Sequence, residues 1–195
     1  GIIVDTTVVK SAPPMAIRSG IGDVISNKAA LLDWQLASEK YGEFVNDFAR
    51  TLSMMSFDML LTLDPDEFGS EEFISRLAYC LVMSGLAMEI AGSSRPCSGG
   101  EHAISHAIDE LYPNRSSYHG IQVAAATPLI LKLHGKDTSR LEAFMKKLSL
   151  PTSLQECGFN QEEINKILIH ARNSRSRKTI LNEVKLPLEL NRESE

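Results

Sequence analysis

Ser94-Arg95-Pro96-Cys97-Ser98-Gly99-Gly100, running on into Glu101-His102-Ala103-Ile104-Ser105-His106-Ala107-Ile108-Asp109, passes from a loop into a helix. Proline and glycine mark residues 93–99 as loop. Gly100 to about Tyr112 then reads as helix, ended by Pro113-Asn114. Outward from this stretch, nearly every segment after Ser11 has helical periodicity. The spacing predicts helices over about 23–40, 43–62, 70–91, 119–133, 138–148 and 160–172. In the second of these, Phe44, Val45, Phe48, Leu52 and Met55 mark one side, and Asp64-Pro65-Asp66 ends it. Ser70 and Asn160 stand as N-caps, and Thr138 or Ser139 as another. The helix after Ser70 is apolar on most sides in its second half, which suits a central position. Ser19-Gly20-Ile21-Gly22-Asp23 reads as a tight turn, with Asp23 at the helix start that follows. The β-branched Ile2-Ile3-Val4 and Val8-Val9 read as one short strand without partners.

The expected fold is therefore all-α, a helical bundle over residues 11–195 with one short N-terminal strand within 1–10. The chain's 195 residues suit about one domain. They leave little room for both a nucleotide-binding and a catalytic domain. The net charge of −5 argues against nucleic acid as a partner. Cys80, Cys97 and Cys157 are odd in number and widely spaced, which fits reduced cytoplasmic thiols. The start, Gly1-Ile2-Ile3-Val4-Asp5, lacks the basic and apolar regions of a signal peptide. The apolar run Leu77–Ala91 falls short of the ~20 residues of a membrane span and suits a core helix. Arg172–Lys178 is basic and reads as a solvated loop, with phosphate contact as the alternative; the last ten residues are expected to fray.

Chemistry concentrates on the histidines. His102 and His106 lie at i and i+4, on one helical face. His119 opens the next helix and could fold back towards them. Two imidazoles with the Asp23 carboxylate would suit a divalent ion with an open position. Spacing alone favours the plainer readings: hydrogen bonding within a bundle for the histidines, and an N-cap for Asp23. No GxSxG, P-loop or GxGxxG occurs.

Three blocks in order carry a family likeness. They are Val4–Val9 with Ala12-Pro13-Pro14 and Ser19–Asp23; Ser94–Asp109; and His119-Gly120-Ile121-Gln122-Val123. Together they resemble the C-terminal half of the superfamily of polyol and glycerol dehydrogenases and dehydroquinate synthase. The second block is most similar to the sn-glycerol-1-phosphate dehydrogenase family. Leu150-Pro151-Thr152 and Arg177–Asn182 are similar to that family's ending. The sequence departs from the family at Gly100-Glu101, at Ile121 and over Ala124–Thr127, which touches substrate detail more than the metal.

The resemblance implies a helical metal- and substrate-binding domain, with residues 1–10 left from its junction with a nucleotide-binding domain. It implies Asp23, His102 and His119 as metal ligands, with Asp23 and His106 as catalytic residues and His106 contacting substrate. No residue of this chain is assigned to the nucleotide. Zinc is the expected ion, with nickel or iron as substitutes. NAD(P) would be held by the absent domain, in cis or as a second polypeptide. The implied reaction interconverts dihydroxyacetone phosphate and glycerol 1-phosphate in a cytoplasmic homo-oligomer. Two alternatives stand beside it: a non-catalytic helical module, and a cyclase of the dehydroquinate synthase type.

Overall fold

A computed structural model describes residues 1–174 and 176–188. The basic Arg175 and most of the expected frayed tail, residues 189–195, lie outside them. The described residues form eight α-helices and no strand. These are α1 (Thr6–Lys10), α2 (Pro14–Tyr41), α3 (Asp47–Leu60), α4 (Glu71–Ala91), α5 (Gly100–Leu111), α6 (His119–Leu133), α7 (Ser139–Lys147) and α8 (Gln161–Asn173). The all-α expectation holds.

The expected N-terminal strand does not. Asp5 caps a helical turn instead, its Oδ1 accepting from Thr7 N at 2.9 Å and Val8 N at 3.3 Å. A β-branched segment becomes a strand only beside another strand. Here a side-chain cap satisfies the backbone locally.

The second correction concerns Ser19–Asp23. It is no turn but the interior of α2, a 28-residue helix that begins with Pro14 in its first turn. Asp23 is therefore not an N-cap. Gly22 serves packing between helices. A Cβ at Gly22 would lie 2.0 Å from Gly120 O, and one at Gly120 would lie 1.9 Å from Ser19 O. Both residues must lack side chains for the two backbones to approach this closely. Around this contact α2 and α6 occupy the centre. Ile21, Val24, Ile25, Val123, Ala124, Ala125 and Ala126 are fully buried.

The other helices pack around this pair. Ile104 and Ile108 of α5 are fully buried, as are Ile164 and Ile167 of α8. Each such side chain contributes roughly 1.5–3 kcal/mol. Ser70 caps α4 through Phe73 N, and Asn160 with Glu163 forms a capping box on α8. Thr138 occupies the N-cap place of α7 without a side-chain cap.

Two apolar faces lie differently from their sequence reading. α3 starts at Asp47, and Phe44, Phe48 and Met55 face outward, while Ala49, Ser53, Ser56 and Phe57 are buried. Its inner face combines Phe57 and Leu60 with Ser53 and Ser56, whose hydroxyls donate to Pro96 O and Cys80 O. α4 flanks the bundle: Phe73, Ile74, Leu77 and Cys80 are buried, while Tyr79, Leu81 and Leu86 are exposed. With 21 residues and a mean hydropathy of 1.4, it is long and apolar enough to cross a membrane by length and composition. Its packing against the bundle accounts for the same composition.

The two glycine environments lead to opposite expectations. Gly22→Ala forces α2 from α6 and should cost about 3 kcal/mol. Gly85→Ala, in α4, meets nothing within 4 Å and should gain about 0.5–1 kcal/mol. Urea denaturation of both variants checks the pair; equal effects would contradict the packing described.

Candidate metal centre

The central contact sets the site, because each glycine adjoins a candidate ligand. Asp23 follows Gly22 on α2, and His119 precedes Gly120 as the first residue of α6. Asp23 Oδ1 and His119 Nε2 lie 3.9 Å apart. His102, on the first turn of α5, completes the group, its ring centroid 5.0 Å from that of His119. One donor atom from each of Asp23, His102 and His119 lies within 4.8 Å of the others. His106 stands one turn on, its ring centroid 5.6 Å from that of His119. All four expected residues line one cleft of about 400 Å³, with Asn27, Ser84 and Cys97 in its walls.

The start of α5 is held from below. Gly100 N donates to Asp33 Oδ2 at 2.7 Å, and Gly99 N donates to Glu101 Oε1 at 2.6 Å. Asp33 is fully buried. Its Oδ1 also accepts from Ile180 N at 2.6 Å and faces His134 Nε2 at 2.9 Å. Arg177, in the basic stretch read as a loop, donates to Ser98 O and Ser94 Oγ. It thereby fastens the loop that leads into α5.

Hydrogen bonds fix the imidazole tautomers. Gln122 Nε2 donates to Asp109 Oδ1 and Ser116 Oγ, so its Oε1 faces Ser105. Ser105 Oγ donates to that oxygen at 2.6 Å. Its contact with His119 Nδ1, at 2.9 Å, must then be one in which His119 donates. Nε2 of His119 is left with its lone pair towards Asp23. Likewise His102 Nδ1 lies 3.0 Å from Oε1 of the fully buried Glu101, an acceptor, which frees Nε2 of His102. Metal-binding histidines are oriented in this way by a partner on the other ring nitrogen. Glu101, Ser105 and Gln122 escaped the reading of the sequence. Their signal was their place within the two histidine blocks.

The electrostatics point the same way. Burial pushes the Asp23 carboxyl above its usual range, against the pull of His119 and His102. Burial and His102 push His119 below its ordinary value. Asp23 Oδ1 is shut off from solvent and has no hydrogen-bond partner. An orphaned carboxylate oxygen facing free imidazole nitrogens fits a cation of the kind that accepts N and O donors. The thiol of Cys97 in the cleft wall is pushed up to about 11 by burial, which keeps it a neutral thiol.

In the metal-free chain the His119 ring should titrate with a midpoint below 6.5 by NMR. The folded chain then holds fewer protons on this group than the unfolded chain does. Its contribution to stability is complete above pH 6.5 and is lost as the pH falls through the lowered value. A midpoint at or above 6.5 would contradict the burial described.

No family model matches the chain. It is similar to glycerol-1-phosphate dehydrogenase [NAD(P)+] of Thermococcus kodakarensis, at 40% identity over 182 residues, which cover 92% of this chain and 52% of that protein. The namesake from Staphylothermus marinus is 40% identical over 185 residues, covering 93% and 52%. That of Nitrosopumilus maritimus is 36% identical over 188 residues, covering 95% and 52%. Among solved structures, a probable glycerol dehydrogenase from Sinorhizobium meliloti shares the fold, with a TM-score of 0.70 at 22% identity, covering 91% of this chain and 52% of that one. The chain spans about half the length of the relatives it matches, and over that half it is a relative of the glycerol-1-phosphate dehydrogenases.

Proposed function

We propose that this chain is the metal- and substrate-binding half of an NAD(P)-dependent dehydrogenase that interconverts dihydroxyacetone phosphate and glycerol 1-phosphate. The observation that carries the reading is the convergence of Asp23, His102 and His119 on one cleft, with Asp23 Oδ1 buried and unpaired. The name of the relatives, glycerol-1-phosphate dehydrogenase acting with NAD(P)+, supports the substrate and the cofactor.

Asp23, His102 and His119 would hold the ion, and zinc suits one carboxylate and two imidazoles, with nickel or iron as substitutes. A divalent ion there would supply Lewis acidity to a substrate oxygen during hydride transfer. Ser105 and Glu101 keep the Nδ1 protons of His119 and His102 in place, so that both Nε2 atoms stay available. His106 lines the same cleft, where it would hold the substrate by hydrogen bonding and pass a proton to or from its oxygen. The nicotinamide would be brought by a nucleotide-binding half, in cis or as a second polypeptide. The apolar Ile2, Val4 and Leu81, exposed beside the middle of α4, support a covering partner there. A cytoplasmic homo-oligomer completes the proposal.

Co-expression with a nucleotide-binding half tests the activity: reduction of dihydroxyacetone phosphate by NADH or NADPH should appear in the mixture.

The metal reading is checked on the chain alone. Elemental analysis should find about one zinc per chain, as a single site implies, and His102→Ala should abolish stoichiometric binding. Ser105→Ala, which removes the partner of His119 Nδ1, should weaken zinc about 10–100-fold with the fold intact. A parent chain that neither carries zinc nor gains thermal stability from it would sink the proposal.

A further inference from the structure

The cleft contains a second orphaned acceptor. Asn27 lies one turn after Asp23 on α2 and lines the same cleft. Its side chain is fully buried, and its Oδ1 has no hydrogen-bond partner. The amide cannot simply be turned over. Its Nδ2 lies 2.8 Å from Ser84 Oγ and 3.3 Å from Ser53 O. Ser53 O is a carbonyl, an acceptor only, so nitrogen must face it.

The rest of the network fixes the same direction. Ser56 Oγ donates to Cys80 O at 2.7 Å. Its hydrogen is therefore spent, and Ser84 Oγ, 3.0 Å away, must donate to it. Ser84 is then left to accept from Asn27. Every hydrogen runs from Asn27 through Ser84 and Ser56 to Cys80, across α2, α3 and α4. Oδ1 of Asn27 is held away from this chain of donors. An unpaired buried carbonyl costs roughly 1–3 kcal/mol, and this one is fixed by a network with no unspent hydrogen.

From this we infer that Asn27 is a positioning residue of the cleft: its Oδ1 accepts a hydrogen bond from an O–H group, water or alcohol, that occupies the open position beside Asp23, His102 and His119. The inference rests on the metal reading above. Asn27 supplies neither charge nor a ligand atom. It selects a hydroxyl donor for that position and orients it.

Zinc affinity of the 195-residue chain, measured by competition with a chromophoric chelator, tests this. Asn27→Ala should weaken zinc about tenfold or more, as loss of a partner beyond the ligands does. Ser84→Ala disturbs the same network but leaves Oδ1, and should weaken zinc less. Asn27→Leu keeps the outline without an acceptor, and should weaken zinc as Asn27→Ala does. Parent-like affinity in Asn27→Ala overturns the inference. So does a loss in Ser84→Ala equal to that in Asn27→Ala, since packing would then be the cause. Circular dichroism reports folding. If Asn27→Ala does not fold, Asn27→Leu decides, and parent-like affinity overturns the inference. A parent that binds no zinc is a different result: it removes the metal reading before any variant is compared.

Discussion

Two backbones touch where α2 crosses α6, and the site depends on that contact. Gly22 and Gly120 leave no space for a side chain, so the axes approach as far as the main chains allow. Because Asp23 and His119 are the neighbours of these glycines, the approach also sets the distance between their side chains. A helix pair held apart by ordinary side chains, at the usual 8–10 Å between axes, would separate the carboxylate from the imidazole. Packing and candidate chemistry are here one constraint.

Around that contact the molecule spends its buried polar groups on direction. One hydrogen-bonded chain runs from His119 through Ser105 and Gln122 to Asp109. Another runs from Asn27 through Ser84 and Ser56 to Cys80. In each, an acceptor at the far end forces every donor before it. The first leaves a ring nitrogen open and the second leaves a carbonyl oxygen open. Both open atoms belong to residues of the same cleft. Buried networks of this kind are costly when only partly satisfied.

The bundle was legible in the sequence because helical periodicity, proline, glycine and caps are local. Ser70, Asn160 and the start of α6 at His119 fell where those signals put them. Three features were not legible. The glycines at 20 and 22 read as a turn, because the partner that needs them, Gly120, lies about a hundred residues away. The N-terminal valines and isoleucines read as a strand, because β-branching is a preference and the cap on Asp5 is a contact. The side of α3 that its apolar residues mark turns Phe48 and Met55 outward, while Ala49, Ser53, Ser56, Phe57 and Leu60 are the residues that the interior uses. For the site, the histidine spacing alone left a metal undecided. The family likeness selected Asp23, His102 and His119, and the fold brings them together. Asn27 and Asp33 carried no local signal, since an asparagine or aspartate inside a helix is ordinarily a surface residue.

Asp33 carries a consequence for how the molecule is made. Its carboxylate joins Gly100, His134 and Ile180, which lie 67, 101 and 147 residues further along the chain. During synthesis α2 emerges before all three of these partners and must wait, with a buried carboxylate not yet paired, until Ile180 has left the ribosome. The start of α5, and with it His102, gains its full anchorage only when Ile180 arrives. A ribosome-bound intermediate can therefore own most of its helices and still lack a settled cleft. Competence to bind a ligand would follow the arrival of Ile180, and not the synthesis of the helices that carry Asp23, His102 and His119.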